Sequence, residues 1–501
     1  MIQKTLYFFF AIILLQSNIV FAQTETKKIH NYFEKLYSFN QFNGNYVVAK
    51  NEKIICEKSV GFGDLDKKTA LNKNAQFPIA SISKTFTATA ILQLKQKNKL
   101  KLDDAVQKYL PTFPYANITI RHLLSNTSGL VDYYNIFDSI MVESPNKLIT
   151  NSDIIPAFNQ YETPLSFLPG ERFQYNNVNF CIAALIVEKV SGLSFGEYLK
   201  QYIFRPAKMK NSLVPDNKNI MQTKQVECYS FPNLYSISLQ NVKTISKNFK
   251  IEERNNFYGN GGIISTATDL YKFDQALYNG TLIGKQELEE AFTPMKLNNG
   301  KTTTYQLDEK QVTYGLGWEI YTDEKNGKVV FHDGSLTGLT SILVRNISKQ
   351  QTIILLENTG SNAVFSASNA ILNILNQQPY KPVTQYFTRL YGSTLVNNGI
   401  SDANKLLTRL INNPEKYNIT EREINRLGYE LLRQNKKTEA VETFSTATKI
   451  FPKSWNAYDS YGEALLLNNQ KDEAIRMYKK SLEINPDNEN GKKMLKDIST
   501  N

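Results

Sequence analysis

Gly428, Ala440, Phe444 and Pro452 recur 34 residues later as Gly462, Ala474, Tyr478 and Pro486. Four positions at one offset restrict what the last quarter of the chain can fold into. A period of this length marks a helical unit that cannot bury its apolar face alone, so neighbouring units must stack. Small residues fall where helices cross, and proline ends each unit. The units fall at about 423–456 and 457–490. Two units bury too little by themselves, so a helix pair over 384–411 and a capping helix over 488–498 are expected to complete the stack. Thr420-Glu421-Arg422-Glu423 has the spacing of a capping box opening the first unit. An ordinary helical bundle is the competing reading.

The remainder is long enough for at least one more domain. The chain has 501 residues, with 41% apolar and 21% charged residues, a globular composition. Its net charge of +11 is compatible with an anionic surface such as a cell envelope. No compact Lys/Arg run with interleaved aromatics occurs, which argues against nucleic acid as a partner. Lys4 precedes an uncharged run from Leu6 to Leu15, and Val20-Phe21-Ala22 offers small residues before Gln23. This is the shape of a signal peptide over 1–22, with an uncleaved anchor as the alternative. Export to a periplasm or to the medium is expected. The chain from residue 23 contains no further apolar run of membrane-spanning length, so a mature protein that does not span a membrane is expected. Cys56, Cys181 and Cys228 are odd in number and form no Cys-x-x-Cys pair, and His30, His122 and His332 are scattered. Neither a disulfide framework nor a metal site is expected.

Residues 45–49 and 53–56 read as two strands joined by a polar turn. Residues 80–99 carry apolar side chains at helical spacing. Residues 329–331, 341–344 and 352–356 read as strands, the last two as antiparallel neighbours, followed by a helix over 362–376. Strands at both ends with helices between predict an α+β domain over 23–376 whose sheet is closed by the domain's two ends. Residues 377–383, rich in Gln and Pro, form a linker to the all-α region 384–501.

Three short motifs in the α+β segment can carry chemistry. Ser81-Ile82-Ser83-Lys84 places a hydroxyl and an amine three residues apart at a predicted helix start, on one face. A serine hydroxyl is a poor nucleophile until a neighbour accepts its proton, and a lysine amine does so when its environment favours the neutral form. Tyr175-Asn176-Asn177 follows a Pro-Gly turn, and His332-Asp333-Gly334-Ser335 ends a predicted strand. Gly334 lets the backbone approach a ligand closely.

Ser-x-x-Lys, Tyr-x-Asn and His-x-Gly in this order resemble the serine β-lactamase/penicillin-binding-protein superfamily, in its class C branch, over residues 30–376. Residues 119–130, 259–270 and 314–318 agree with it. The 34-residue units resemble tetratricopeptide repeats. The first resemblance implies a β-lactamase/transpeptidase-like fold, an antiparallel sheet flanked by helices with a helical subdomain. It also implies an acyl-enzyme mechanism without metal or organic cofactor. Ser81 would be the nucleophile. Lys84 and Tyr175 would share the general-base role, in an order left open. Asn177 would hold Lys84 and the substrate amide. The backbone N–H groups of Ser81 and Ser335 would form the oxyanion hole, beside His332 and Gly334.

Class C β-lactamases usually carry Lys-Thr-Gly where this chain has His332-Asp333-Gly334. Lysine supplies a fixed charge for a substrate carboxylate, whereas histidine is only partly charged near neutral pH. The expected function is a serine hydrolase acting on D-amino-acid peptides, amides or esters, like a D-alanyl-D-alanine carboxypeptidase. An esterase or β-lactamase on the same site is the alternative, and a non-catalytic envelope scaffold acting through the repeats is the reading of another class. The expected partners are a small-molecule or peptide substrate and, through the repeats, a protein. Asn126 stands where many relatives carry histidine, with little catalytic consequence expected.

Overall fold

The structure is a computed structural model and describes residues 24–132, 137, 147–215, 225–245, 255–307, 310–361 and 363–500. The signal peptide expected over residues 1–22 lies outside the described residues. The chain divides into two units, one of residues 1–230 and 241–381, the other of residues 231–240 and 382–501.

The first unit is built on an antiparallel sheet. Its strands are β1 (Gly44–Lys50), β2 (Lys53–Val60), β3 (Tyr305–Leu307), β4 (Lys310–Tyr314), β5 (Glu319–Asp323), β6 (Gly327–Leu336), β7 (Leu339–Asn346) and β8 (Gln351–Glu357). Their order across the sheet is β3-β4-β5-β6-β7-β8-β1-β2. Thus β8 pairs with β1, Ile354 opposite Val47, and the domain's two ends close the sheet as the sequence predicts. Every residue of β7 and β8 is buried, so both faces must be covered.

Strand alternation divides the covers. Val47, Val330, Leu343, Ile354 and Leu356 join the large apolar cluster that holds the helices α1 (Ser83–Gln96) and α2 (Asn177–Ser191). On the other face Tyr46 stacks on Phe33, 3.9 Å between ring centroids, from the helix over 24–38. Phe331 there meets Phe365 of α3 (Ala363–Leu375). Residues Ser83 to Leu94 of α1 are all buried. Its small Thr and Ala side chains allow close packing on every side, as a central helix requires. The predicted extent to residue 99 is too long. The α-helix ends at Gln96 because Asn98 takes a left-handed φ of 54° and Lys99 N–H turns back to Leu94 O at 2.9 Å. Among the described residues no single helix is long and apolar enough to cross a membrane.

The second unit is helical: α4 (Phe387–Asn398), α5 (Ile400–Ile411), α6 (Glu421–Arg433), α7 (Lys437–Ile450), α8 (Trp455–Leu467), α9 (Lys471–Ile484) and α10 (Glu489–Thr500). The 34-residue period has a direct physical reason. A Cβ on Gly428 of α6 would lie 2.3 Å from the Phe444 ring of α7, and one on Gly462 of α8 would lie 3.1 Å from the Tyr478 ring of α9. Each glycine therefore makes room for the aromatic residue of its partner helix. Ala440 and Ala474 are fully buried at the same crossings. Only half of the predicted capping box forms. Thr420 accepts from Glu423 N–H at 3.3 Å, but the Glu423 carboxylate accepts from Arg426 at 2.8 Å instead of returning to Thr420.

Residues 231–240, placed by the sequence reading inside the span 23–376, belong to the helical unit. The Arg389 guanidinium lies 3.2 Å from the Phe231 ring centroid, and Tyr235 packs on Gly392 and donates its hydroxyl proton to Gln434. Aromatic side chains at these positions have more apolar surface to bury against α4 and α6 than a solvated loop would offer.

Gly428→Ala is expected to destabilise the helical unit by about 1–3 kcal/mol, since the Phe444 ring must shift. Gly462→Ala, meeting Tyr478 at the longer distance, should cost less. Denaturant melts of the full chain followed by far-UV circular dichroism check this order.

Candidate active site

A strained turn presents Ser81. Ala80 has a φ of +48°, uncommon for a residue with a Cβ, and a 3-10 turn over Ala80–Ile82 leads into α1. The turn is held from both sides. Ile79 N–H donates to Ile263 O at 2.9 Å, and Ser341 Oγ of β7 donates to Ile79 O at 3.0 Å. Lys84, one turn later, is completely buried, whereas Ser81 is half-exposed.

Three groups surround the Lys84 amine. Its Nζ lies 2.9 Å from Ser81 Oγ, 2.8 Å from Asn177 Oδ1 and 2.9 Å from the backbone oxygen of Asn260. Burial pulls Lys84 down from its ordinary value to about 7, with Asp132, Asp333 and Glu319 opposing that shift. A neutral amine has two N–H bonds and one lone pair. Asn177 Oδ1 and Asn260 O are acceptors only and take the two protons. The lone pair is left for the Ser81 hydroxyl.

Tyr175 projects over this amine, 4.8 Å from Nζ to the ring centroid, and its hydroxyl is hydrogen-bonded with Ser81. Desolvation holds its phenol well above the ordinary value, so it is protonated at neutral pH. The loop carrying it is pinned by side chains distant in sequence. Asn126 Oδ1 accepts from Asn176 N–H at 3.2 Å and from Asn179 Nδ2 at 2.9 Å. Asp132 accepts from Asn177 N–H at 3.2 Å, and Asn176 Oδ1 caps α2 by accepting from Val178 N–H at 2.8 Å.

The third motif runs along β6. A Cβ on Gly334 would lie 2.5 Å from Ile79 O and 2.9 Å from Ser81 N, so the strand passes against the turn that carries Ser81. This places Ser335, exposed at the strand's end, next in line. His332 is fully buried and is pulled down to about 3, chiefly by burial and then by Lys84. It is neutral at physiological pH. Its Nδ1 donates to Asp333 O at 2.6 Å, and Nε2 faces the Tyr314 hydroxyl at 3.3 Å. All seven residues singled out from the sequence therefore lie in one place. Sequence reasoning gave no role to Asn126, Asp132, Asn260, Glu319 or Asp333. Asn126 and Asn260 fall within the stretches 119–130 and 259–270, and Asp333 within the third motif, the available signal for them.

Glu319, His332 and Asp333 bring ligand-type atoms within 4.8 Å of one another. These atoms are already engaged. Glu319 accepts from the Tyr305 hydroxyl and donates to Asp333, and His332 donates to the main chain.

A family model described as Beta-lactamase matches residues 40–377. The chain belongs to the β-lactamase family. A tetratricopeptide-repeat model matches residues 456–488. Penicillin-binding protein 4* of Bacillus subtilis (strain 168) is 32% identical over 397 residues, 75% of this chain and 84% of that one. A penicillin-binding protein from Bacillus halodurans superposes with a TM-score of 0.56 at 26% identity, over 68% of this chain and 98% of the other. A D-amino acid amidase from Ochrobactrum anthropi SV3 shares the fold, with a TM-score of 0.58 at 19% identity over 71% and 99%. This family member is a serine hydrolase of the β-lactamase and D,D-peptidase kind, with tetratricopeptide-like helices after its hydrolase fold.

Gly334→Ala is expected to push β6 off the Ile79–Ser81 turn and to lower the rate of Ser81 acylation at least a hundredfold. The rate of labelling by a fluorophosphonate, followed by intact-protein mass, measures this.

Proposed function

We propose that this protein hydrolyses D-amino-acid-containing peptides, or related amides and esters, through an acyl-enzyme on Ser81. The observation that carries the reading is the Lys84 amine, whose two acceptor-only partners leave its lone pair facing Ser81 Oγ at 2.9 Å. Lys84 takes the Ser81 proton as the oxygen attacks the carbonyl carbon. Tyr175 keeps its proton in the resting enzyme and serves as the relay that delivers one to the leaving group. The N–H groups of Ser81 and Ser335 receive the developing oxyanion, the kind of interaction worth about 2.7–4 kcal/mol per donor in other hydrolases. Asn177 orients Lys84 and the substrate amide. Water then attacks the ester carbonyl, and Ser81 is released with its proton restored.

His332 enters as a neutral, buried hydrogen-bonding group that shapes the pocket. Its neutrality disfavours a strong β-lactamase reading, since the motif offers no fixed charge for the β-lactam carboxylate. The apolar N-terminal run supports export to a periplasm or to the medium, and the stacked helices support a protein-binding role for residues 384–501.

Intact-protein mass after incubation with a fluorescent penicillin and with a fluorophosphonate tests the nucleophile. An adduct with either reagent on the full chain, lost in Ser81→Ala, is the expected result. No adduct with either reagent overturns the acyl-enzyme reading. The pH dependence tests the base. Lys84 loses its proton near 7, so the acylation rate should rise about tenfold per pH unit up to pH 7 and level off above it. Lys84→Ala should reduce acylation about 10²–10⁴-fold. His332, held near 3, should contribute no limb between pH 5 and 9, and His332→Gln should leave the limb near 7 in place.

A further inference from the structure

We infer that Asp333 is the specificity-determining residue of this site and that it anchors a free ammonium group on the substrate. The inference rests on the serine hydrolase reading above and names the substrate class: compounds whose amino group next to the reacting carbonyl is unblocked.

Asp333 lies on β6 immediately before Gly334, the residue that touches the nucleophile turn, and two residues before Ser335. Two strand residues span about 6–7 Å, the scale of an amino-acyl unit lying from the oxyanion donors back along the strand. Its neighbours His332 and Gly334 are buried, while Asp333 itself is exposed. The main chain is fixed at this point, because the Asp333 carbonyl accepts from His332 Nδ1 at 2.6 Å and Asp333 is paired with Ile342 of β7.

The charge of the site points the same way. The carboxyl groups acting on both Lys84 and Tyr175 are Asp132, Asp333 and Glu319. The cation acting on His332 is Lys84, whose amine is buried and whose three neighbours are protein atoms. A substrate carboxylate entering beside β6 meets the Asp333 charge. An ammonium group is attracted by it.

Glu319 prepares this anchor. It is buried on β5, where it accepts from the Tyr305 hydroxyl. Desolvation and the Asp333 charge keep its proton on, and it donates that proton in a hydrogen bond to Asp333. Burial raises Asp333 too and the hydrogen bond from Glu319 opposes that shift, whereas Glu319 is held well above its ordinary value, so the negative charge of the pair sits on Asp333, the exposed partner, and is oriented by that hydrogen bond. Glu319 is a positioning residue and Asp333 the contact.

The test is equilibrium binding to full-length Ser81→Ala protein, which cannot turn over. D-alaninamide, N-acetyl-D-alaninamide and N-acetyl-D-alanine are compared by titration calorimetry. The expected result is at least a tenfold preference for the free amine over its acetylated form, with the carboxylate weakest. Asp333→Asn on the same background should remove the preference. Asp333→Thr provides a second variant, and thermal melts establish that both are folded. Glu319→Gln keeps a donor for Asp333 and an acceptor for Tyr305, so it should retain the preference, whereas Glu319→Leu should weaken it. Equal binding of the two amides, tighter binding of the carboxylate, no binding of any of the three, or a preference that survives both Asp333 changes overturns the inference. Fluorophosphonate labelling of Ser81 is scored separately on the unmutated chain. Labelling without an amine preference removes the anchor and leaves the hydrolase reading standing, whereas absent labelling removes that reading itself.

Discussion

A fully buried lysine amine sets the terms for everything around it. Moving Lys84 from 10.5 to about 7 corresponds to ~5 kcal/mol of preference for the neutral form. The unfolded chain keeps its lysine protonated up to the ordinary value, while the folded chain releases the proton near 7. Between about 7 and 10.5 the unfolded state thus binds more protons, and the folded state gains stability as pH rises through that window. At neutral pH the fold carries most of this cost. The central helix, the capped start of α2 and the Asn260 backbone meet at one nitrogen to satisfy it. A poorer enclosure would let water in and restore the ammonium form, which cannot act as a base.

The same enclosure explains the close contact between β6 and the turn that carries Ser81. Ala80 holds an unfavourable φ of +48°, so the turn needs outside support. Ser341 supplies a hydrogen bond to Ile79 O, and Gly334 supplies the absence of a side chain. Register makes these two act together, because Gly334 and Ser341 are directly paired between β6 and β7. A slip of one residue would turn Ser341 away and bring a side chain against Ile79 O. The sheet closed by β1 and β8 is therefore the part of the fold that fixes where the N–H groups of Ser81 and Ser335 stand.

Short-range patterns in the sequence were enough to locate the candidate site residues. Ser81 and Lys84 sit one helical turn apart, Tyr175 and Asn177 flank a helix cap, and the repeat glycines sit opposite their aromatic partners at a constant offset. The unread features depend on contacts between distant residues. Asn126 reaches Asn176 and Asn179 across about 50 residues, and Asn260 meets Lys84 across 176. Neither contact leaves a periodic trace. Glu319 and Asp333 face each other only because β5 and β6 pair in one register. Residues 231–240 read as an ordinary loop because their partners, Arg389, Gly392 and Gln434, lie more than 150 positions away. Thr420 and Glu423 had the right spacing for a capping box, but a second partner, Arg426, took the carboxylate.

The histidine of the third motif follows from the same energetics. A lysine at position 332 would place a second ammonium inside the apolar sheet, close to Lys84. Two like charges there would each lower the other, and burial would lower both. His332 meets the packing need with a ring that is neutral at physiological pH, one N–H for the Asp333 carbonyl, and a nitrogen toward Tyr314. Charge at the motif then moves outward by one residue, to an acid on the exposed side of the strand. Above about pH 7, with Lys84 neutral and Glu319 protonated, the resting site carries its accessible charge as an anion on Asp333, while the proposed base beneath the serine is uncharged until it takes the proton. In the proposed mechanism the new ammonium forms beside the charges of Asp132 and Asp333, which favour it more than the resting amine. The acids thus help Lys84 hold the proton once Ser81 has released it, while burial keeps the resting lysine available as a base.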